Sequence, residues 1–243
     1  MYNGGSSPFI VSISKAKYRL GYAHQKDKKA YNLLSDYVPY ATSKIDSYNY
    51  QIMSILRPLS EKKFSLFPVY KVSDEVLGKT KVPAKTYALN FGTGGLEKLL
   101  EYEKYIELVR YIYEKYNYIP LVVLNPGQEY LQESFIEDYL LPNKIPYIQL
   151  GLLSIEEVAA LLIKSSFVIT PDTGIMHLAF AVDAFVYTPF TYTNPDLVDL
   201  GSEKFIPVYE HFEAGALGQK QDIKITTLLQ KADLLFEKLN HEN

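Results

Sequence analysis

The sequence predicts an α/β protein whose C-terminal part is a parallel sheet covered by helices on both faces. From residue 86 onward, short β-rich runs alternate with longer helical segments. Each run is apolar at nearly every position, as a strand buried on both faces must be. A length of 243 residues, 47% hydrophobic and 22% charged, supports one large domain or two modest ones with a real core.

The elements follow in order. Residues 43–56 read as a helix, with Ser43 as N-cap and Ile45, Tyr48, Ile52 and Ile55 at helical spacing before Pro58. Residues 57–85 carry Pro58, Pro68, Gly78 and Pro83 and read as a linker with one short helix at 73–77. Strands are expected at 86–91, 119–124, 147–150, 167–170 and 185–188, with a sixth at 205–209. Helices are expected at 98–116, 128–140, 154–164 and 173–182, and a closing one at 225–239. The reading is a partial domain and linker over 1–82 and a complete Rossmann-like domain over 83–243.

Composition removes several classes of function. With no cysteine there is no disulfide framework, thiolate metal site or cysteine nucleophile. A net charge of −3 argues against coating nucleic acid by bulk electrostatics. No stretch approaches the roughly 18 apolar residues of a membrane span. The first residues lack a signal-peptide pattern, so a cytoplasmic location is the default expectation. Between residues 15 and 29, six basic residues face only Asp27, a local balance of +5 against −8 for the remainder. Such a segment can receive an anionic partner, and it can equally be a solvated loop.

In a sheet of this kind, ligands bind beyond the carboxyl ends of the strands. The first such end reads Phe91-Gly92-Thr93-Gly94-Gly95-Leu96-Glu97-Lys98. Its glycines admit a ligand to the backbone, the following helix offers N–H groups to a phosphate, and Lys98 and Thr93 supply a charge and a hydroxyl. A plain turn would look the same. Glu129, just past the second strand, can accept both ribose hydroxyls or simply stabilise the first turn of its helix. The fourth end, Thr170-Pro171-Asp172-Thr173-Gly174-Ile175-Met176-His177, is the most informative. Asp172 is expected to cap the next helix, Gly174 to leave room for a ligand, and His177 to lie one turn on. Gly78-Lys79-Thr80 echoes a P-loop ending, but no strand precedes it and the required first glycine is Ser73.

Ser166–Ala181 resembles the signature of glycosyltransferase family 9, the ADP-heptose:lipopolysaccharide heptosyltransferases, in which Asp-Thr-Gly-x-x-His opens the donor-binding helix. Three further segments resemble the family in the same order: Ala88–Gly95 with Lys98, Pro126–Glu129, and Leu153–Val158. Ala16–Tyr22 is similar to a stretch late in the family's N-terminal domain. The resemblance implies a GT-B fold with a complete C-terminal Rossmann-like domain and an incomplete N-terminal one.

It also implies roles for particular residues. Thr173 and Gly174 would bind the diphosphate, and Asp172 and His177 would shape the donor pocket. Lys98, Thr93 and Gly94 would meet the phosphates, Glu129 the ribose, and Leu153 the base. No cofactor or metal is implied; the donor is ADP-heptose and the acceptor an anionic lipopolysaccharide core faced by Lys26, Lys28 and Lys29. Peripheral inner-membrane association and self-association are further implications, the latter because a partial Rossmann layer leaves apolar surface uncovered.

Two departures stand out. The loop after the fifth strand reads Phe190-Thr191-Tyr192-Thr193-Asn194-Pro195 in place of Phe-Gly-Pro-Thr-x-Pro. The Gly-Asp segment whose Asp serves the family as catalytic base has no counterpart here, so no residue takes that role. Three readings follow. They are a heptosyltransferase, a non-catalytic nucleotide-sugar binder, and a Rossmann-like protein for another nucleotide.

Overall fold

The structure, a computed structural model, describes residues 16–22, 28–35, 50, 54, 59 and 67–242. The chain separates into two compact units, Met1–Leu66 with Asp196–Leu200, and Phe67–Pro195 with Gly201–Asn243. In the first unit, β1 (Leu20–Tyr22) and β2 (Leu33–Ser35) pair in parallel, Leu20 opposite Leu33. Asn32 ties the pair together, accepting from the Arg19 N–H at 2.8 Å and donating to the Lys17 carbonyl at 2.7 Å. The helix expected at 43–56 lies outside the described residues apart from Tyr50 and Ser54.

The second unit is a six-stranded sheet of β3 (Thr86–Asn90), β4 (Ile119–Val123), β5 (Ile148–Gln149), β6 (Val168–Ile169), β7 (Val186–Pro189) and β8 (Phe205–Val208). Its spatial order is β5-β4-β3-β6-β7-β8, with every pairing parallel. Strand order therefore reverses between β3 and β6, the place where a doubly wound sheet opens a crevice. All five residues of β3 are buried, as expected of a central strand.

Two helical layers cover the sheet. On one face lie α2 (Tyr102–Tyr116), α3 (Glu129–Phe135) and α6 (Ile225–Glu242). Leu108, Val109, Ile112, Phe135, Leu228, Leu235 and Phe236 from these helices meet Tyr87, Leu89 and Tyr187 from the strands and Phe91 and Phe167 beside them. The alternation 87, 89, 91 is the period-two signature of one sheet face. Tyr87 stacks on Phe167 at 4.7 Å and Tyr116 on Phe236 at 3.6 Å, so part of the tyrosine excess is core packing. The other layer holds α1 (Asp74–Lys79), α4 (Ile155–Lys164) and α5 (Gly174–Ala181), with α4 touching both α1 and α5.

The sequence explains the boundaries. Ser154 caps α4 through a full capping box with Glu157, and Ser73 caps α1 by accepting from the Val76 N–H. Asn117 closes α2 in the left-handed conformation at φ 58°. Gly78-Lys79-Thr80 forms the end of α1, away from any strand-to-helix loop.

Some expectations need adjustment. The helix expected from residue 98 begins at Tyr102, after a single tight turn at Leu96–Lys98. The loop after β3 therefore does not run straight into a helix N-terminus. The helix expected over 128–140 divides into α3 and a wider π turn at Ile136–Leu140. The third and fourth strands each shrink to two paired residues, because the edge strand and the crevice limit pairing there.

Candidate functional site

At the reversal point the two central strands end in polar residues within an otherwise apolar sheet. Fully buried Asn90 accepts from the Gly92 N–H at 3.1 Å and donates to the Val123 carbonyl at 3.3 Å, linking the ends of β3 and β4. The buried Thr170 hydroxyl lies 3.5 Å from Asn90 Oδ1 and 3.4 Å from Thr173 Oγ1, carrying the link to the end of β6. Gly92 is needed for this packing, since a Cβ there would fall 2.2 Å from the Asn125 side chain.

The loop after β3 is held in shape by its neighbour. The Gln128 side chain accepts from the Thr93 N–H at 3.1 Å and donates to the Thr93 carbonyl at 2.8 Å, a two-point clamp between the loops after β3 and β4. Gly127 makes the turn that delivers Gln128, at φ 78°. The Thr93 hydroxyl donates to the Gly95 carbonyl at 2.7 Å and accepts from its N–H at 3.2 Å. That hydroxyl closes the loop on itself.

Across the crevice, Lys98 Nζ donates to Asp172 Oδ2 at 2.7 Å, and the pair is half-buried, with 29% and 9% of the side chains exposed. Asp172 does not cap α5. The N-cap is Thr173, in extended backbone conformation and without a side-chain cap. Asp172 precedes it by one residue, and the Lys98 ammonium claims its carboxylate. The first turn of α5 is left with no side-chain acceptor for its N–H groups, an arrangement that attracts anions. The space where a Cβ would stand at Gly174 and at Gly94 is empty, and both glycines are exposed.

His177 lies one turn along α5, exposed on one side and edge-on to Phe180 at 6.3 Å. Partial desolvation holds its pKa below the ordinary histidine value; Asp172 pulls it upward and Lys98 pushes it down. Lys98, Asp172, His177 and the N-terminus of α5 thus form one electrostatic unit. Glu129 is half-buried at the first position of α3, beside the Gln128 clamp.

Other expected residues stand elsewhere. Leu153 lines a recess of about 230 Å³ with Val76, Lys79, Thr80, Leu150 and Leu161, between α1 and α4. Lys26 lies outside the described residues, Lys28 belongs to a short helical turn at Lys28–Ala30, and Lys29 is exposed. Asn90, Gln128 and Thr170 were not expected at the site. The readable signal was a polar residue ending an apolar strand. Among the described residues, no group of three or more His, Asp or Glu side chains could hold a metal ion. No helix among them is long and apolar enough to cross a membrane.

The model of glycosyltransferase family 9 (heptosyltransferase) matches residues 2–230. The chain belongs to glycosyltransferase family 9. Among solved structures, Escherichia coli ADP-heptose lps heptosyltransferase II matches with a TM-score of 0.60 at 16% identity, over 75% of this chain and 56% of that one. E. coli heptosyltransferase WaaC with ADP matches with a TM-score of 0.55 at 18% identity, over 77% of this chain and 54% of that one. A family 9 glycosyltransferase from Veillonella parvula matches with a TM-score of 0.73 at 13% identity, over 98% of this chain and 72% of that one. These likenesses show the fold, an α/β architecture of GT-B type. This family 9 chain spans a little over half the length of the two E. coli enzymes. Curated protein sequences give no match.

Proposed function

We propose that the protein is a glycosyltransferase that takes a heptose or related sugar from an ADP-sugar and transfers it to a lipopolysaccharide core. The observation that supports this reading best is the Lys98–Asp172 ion pair beside the uncapped start of α5, at the reversal point of the sheet. A donor diphosphate entering the crevice would take the Lys98 ammonium from Asp172 and accept from the free N–H groups of α5. As the glycosidic bond breaks, negative charge grows on that diphosphate, and the same groups would stabilise it. One preorganised donor in such a site is worth about 10² to 10³ in kcat.

In this reading the second unit is the donor domain. Glu129 would take the ribose, Leu153 would lie beside the base, and Thr93 and Gly94 would shape the phosphate loop. Asp172 and His177 would border the sugar, and Lys26, Lys28 and Lys29 would face the anionic acceptor. The reaction needs a base to activate the acceptor hydroxyl, a contribution of about 10² to 10⁴. None of these residues is assigned to it. Action at the cytoplasmic face of the inner membrane belongs to the same proposal.

Calorimetric titration with ADP, using UDP and GDP as controls, tests the reading. Micromolar ADP binding that Lys98→Ala and Asp172→Ala abolish is the expected result. Failure to bind any of the three nucleotides would overturn it, and ADP binding without turnover would favour a donor-binding protein instead.

A further inference from the structure

A second cavity, of about 320 Å³, is lined in part by the Leu96–Lys98 turn, whose last residue makes the ion pair with Asp172. Leu96, Glu97, Leu99 and Glu101 form one wall, and Thr191, Tyr192, Lys220 and Gln221 the other. Its volume is at the lower end of small-molecule sites, suited to a single ring and its substituents. No role has been assigned to it so far.

The cavity is built by the stretch that departs from the family pattern. Residues 191–194 pair with 217–221: the Gln221 N–H donates to the Thr191 carbonyl at 2.7 Å, Gln219 N–H to Tyr192 at 2.8 Å, and Asn194 N–H to Leu217 at 3.0 Å. The Thr191 hydroxyl donates to the Glu97 carbonyl at 2.7 Å, fixing the two walls to each other. The Tyr192 ring lies against Gly218, where a Cβ would come within 2.7 Å of Cε1, yet 41% of the residue remains exposed. An aromatic ring is thus held from one side and offered on the other.

The chemistry of the walls narrows the occupant. Glu97, Glu101, Lys104 and Lys220 sum to no net charge, which disfavours an anion or a cation. Lys104 is committed to Glu101 and Asp222. The Glu97 carboxylate and the Lys220 ammonium make no hydrogen bond or ion pair among the described residues, so an acceptor and a donor stand free. Leu96 is 66% exposed beside them. An exposed ring face, an apolar flank and unpaired hydrogen-bonding groups around them suit a neutral ligand with one apolar face and a polar rim. A pyranose ring has that form.

We propose that this cavity is a carbohydrate subsite, in which Tyr192 stacks on a pyranose while Glu97 and Lys220 bond its hydroxyls. The proposal rests on the glycosyltransferase reading, and the turn shared with Lys98 puts this sugar next to the diphosphate. The ring can come from the donor or from the acceptor saccharide.

Saturation-transfer NMR and calorimetry with methyl α-mannopyranoside, methyl α-glucopyranoside, ADP-mannose and ADP test it. Tyr192→Ala is expected to weaken at least one sugar-bearing probe roughly threefold to tenfold, the worth of one ring contact, while ADP is unaffected. Tyr192→Phe should retain binding, and Lys220→Ala, an exposed change, should weaken the same probe. Loss confined to ADP-mannose would assign the donor's sugar, and loss confined to a methyl glycoside the acceptor's. Equal binding of every sugar probe by wild type, Tyr192→Ala and Lys220→Ala would overturn the proposal. ADP binding by the wild type reports separately on the glycosyltransferase reading.

Discussion

His177 reports the charge of the crevice, because Asp172 and Lys98 act on it with opposite signs. Lys98→Met removes a cation and leaves Asp172 unpaired, so the His177 pKa should rise. Asp172→Asn leaves the ammonium alone beside the imidazole, so it should fall further below the ordinary value. NMR titration of the His177 ring protons checks both signs, and equal values in the two variants would refute the coupling. At this scale the sequence was only partly legible. The run of Asp172, Thr173, Gly174 and His177 points to the end of β6, but its spacing predicts Asp172 as the cap of α5, a position that Thr173 holds. A carboxylate next to a helix start is ambiguous until its partner is known, and Lys98 lies 74 residues away in sequence. The Thr93 hydroxyl is ambiguous in the same way, since a hydroxyl in a glycine-rich loop can face a ligand or close the loop.

Helix α4 shows what an element owes to a few residues. Ser154 Oγ accepts from the Glu157 N–H at 3.3 Å while the Glu157 carboxylate accepts from the Ser154 N–H at 2.8 Å. Ser154→Ala should lower stability by about 1 kcal/mol in urea titrations. The further link from Glu156 Oε1 to the Ser73 N–H, 2.9 Å, joins this end of α4 to the start of α1. The strands and helices of the second unit were legible because burial on two faces gives continuous apolar runs that turns punctuate. The late start of α2 was not, because Leu96–Glu101 carries residues that fit a helix. The Thr191 hydroxyl, bonded to the Glu97 carbonyl at 2.7 Å, ties that segment to the loop after β7 instead. No local preference encodes such a tertiary bond.

Taken as a whole, the second unit carries, around its apolar core, carboxylates that prefer to be charged. Hydrogen bonds lower the pKa of Glu103 through Tyr139, Glu156 through Ser73, Glu157 through Ser154, and Glu210 through the Lys224 N–H; Lys104 lowers Asp222. For Asp233, burial pushes upward, but Tyr116, Lys115 and Tyr111 outweigh it. Groups depressed on folding contribute stability above their unfolded values, about 4, and lose it as pH falls through the folded ones. His177 acts in the same direction, since protonating a desolvated imidazole opposes folding. The urea midpoint should therefore decline slightly as pH falls below about 6.5, where the unfolded chain protonates His177 first, and drop more steeply below about 4. Asp233→Asn, which weakens the tie between α2 and α6, should flatten that drop. The two ends of the sheet carry a different consequence. β5 offers only two residues, Ile148 and Gln149, and β8 contains Pro207, whose ring nitrogen has no hydrogen to donate. A bare strand edge is a template on which another chain can add its own backbone, and short or proline-bearing edges deny it. This sheet is therefore poorly suited to growth into fibrils or strand-swapped dimers. Association through the ends of this six-stranded sheet is left to side chains.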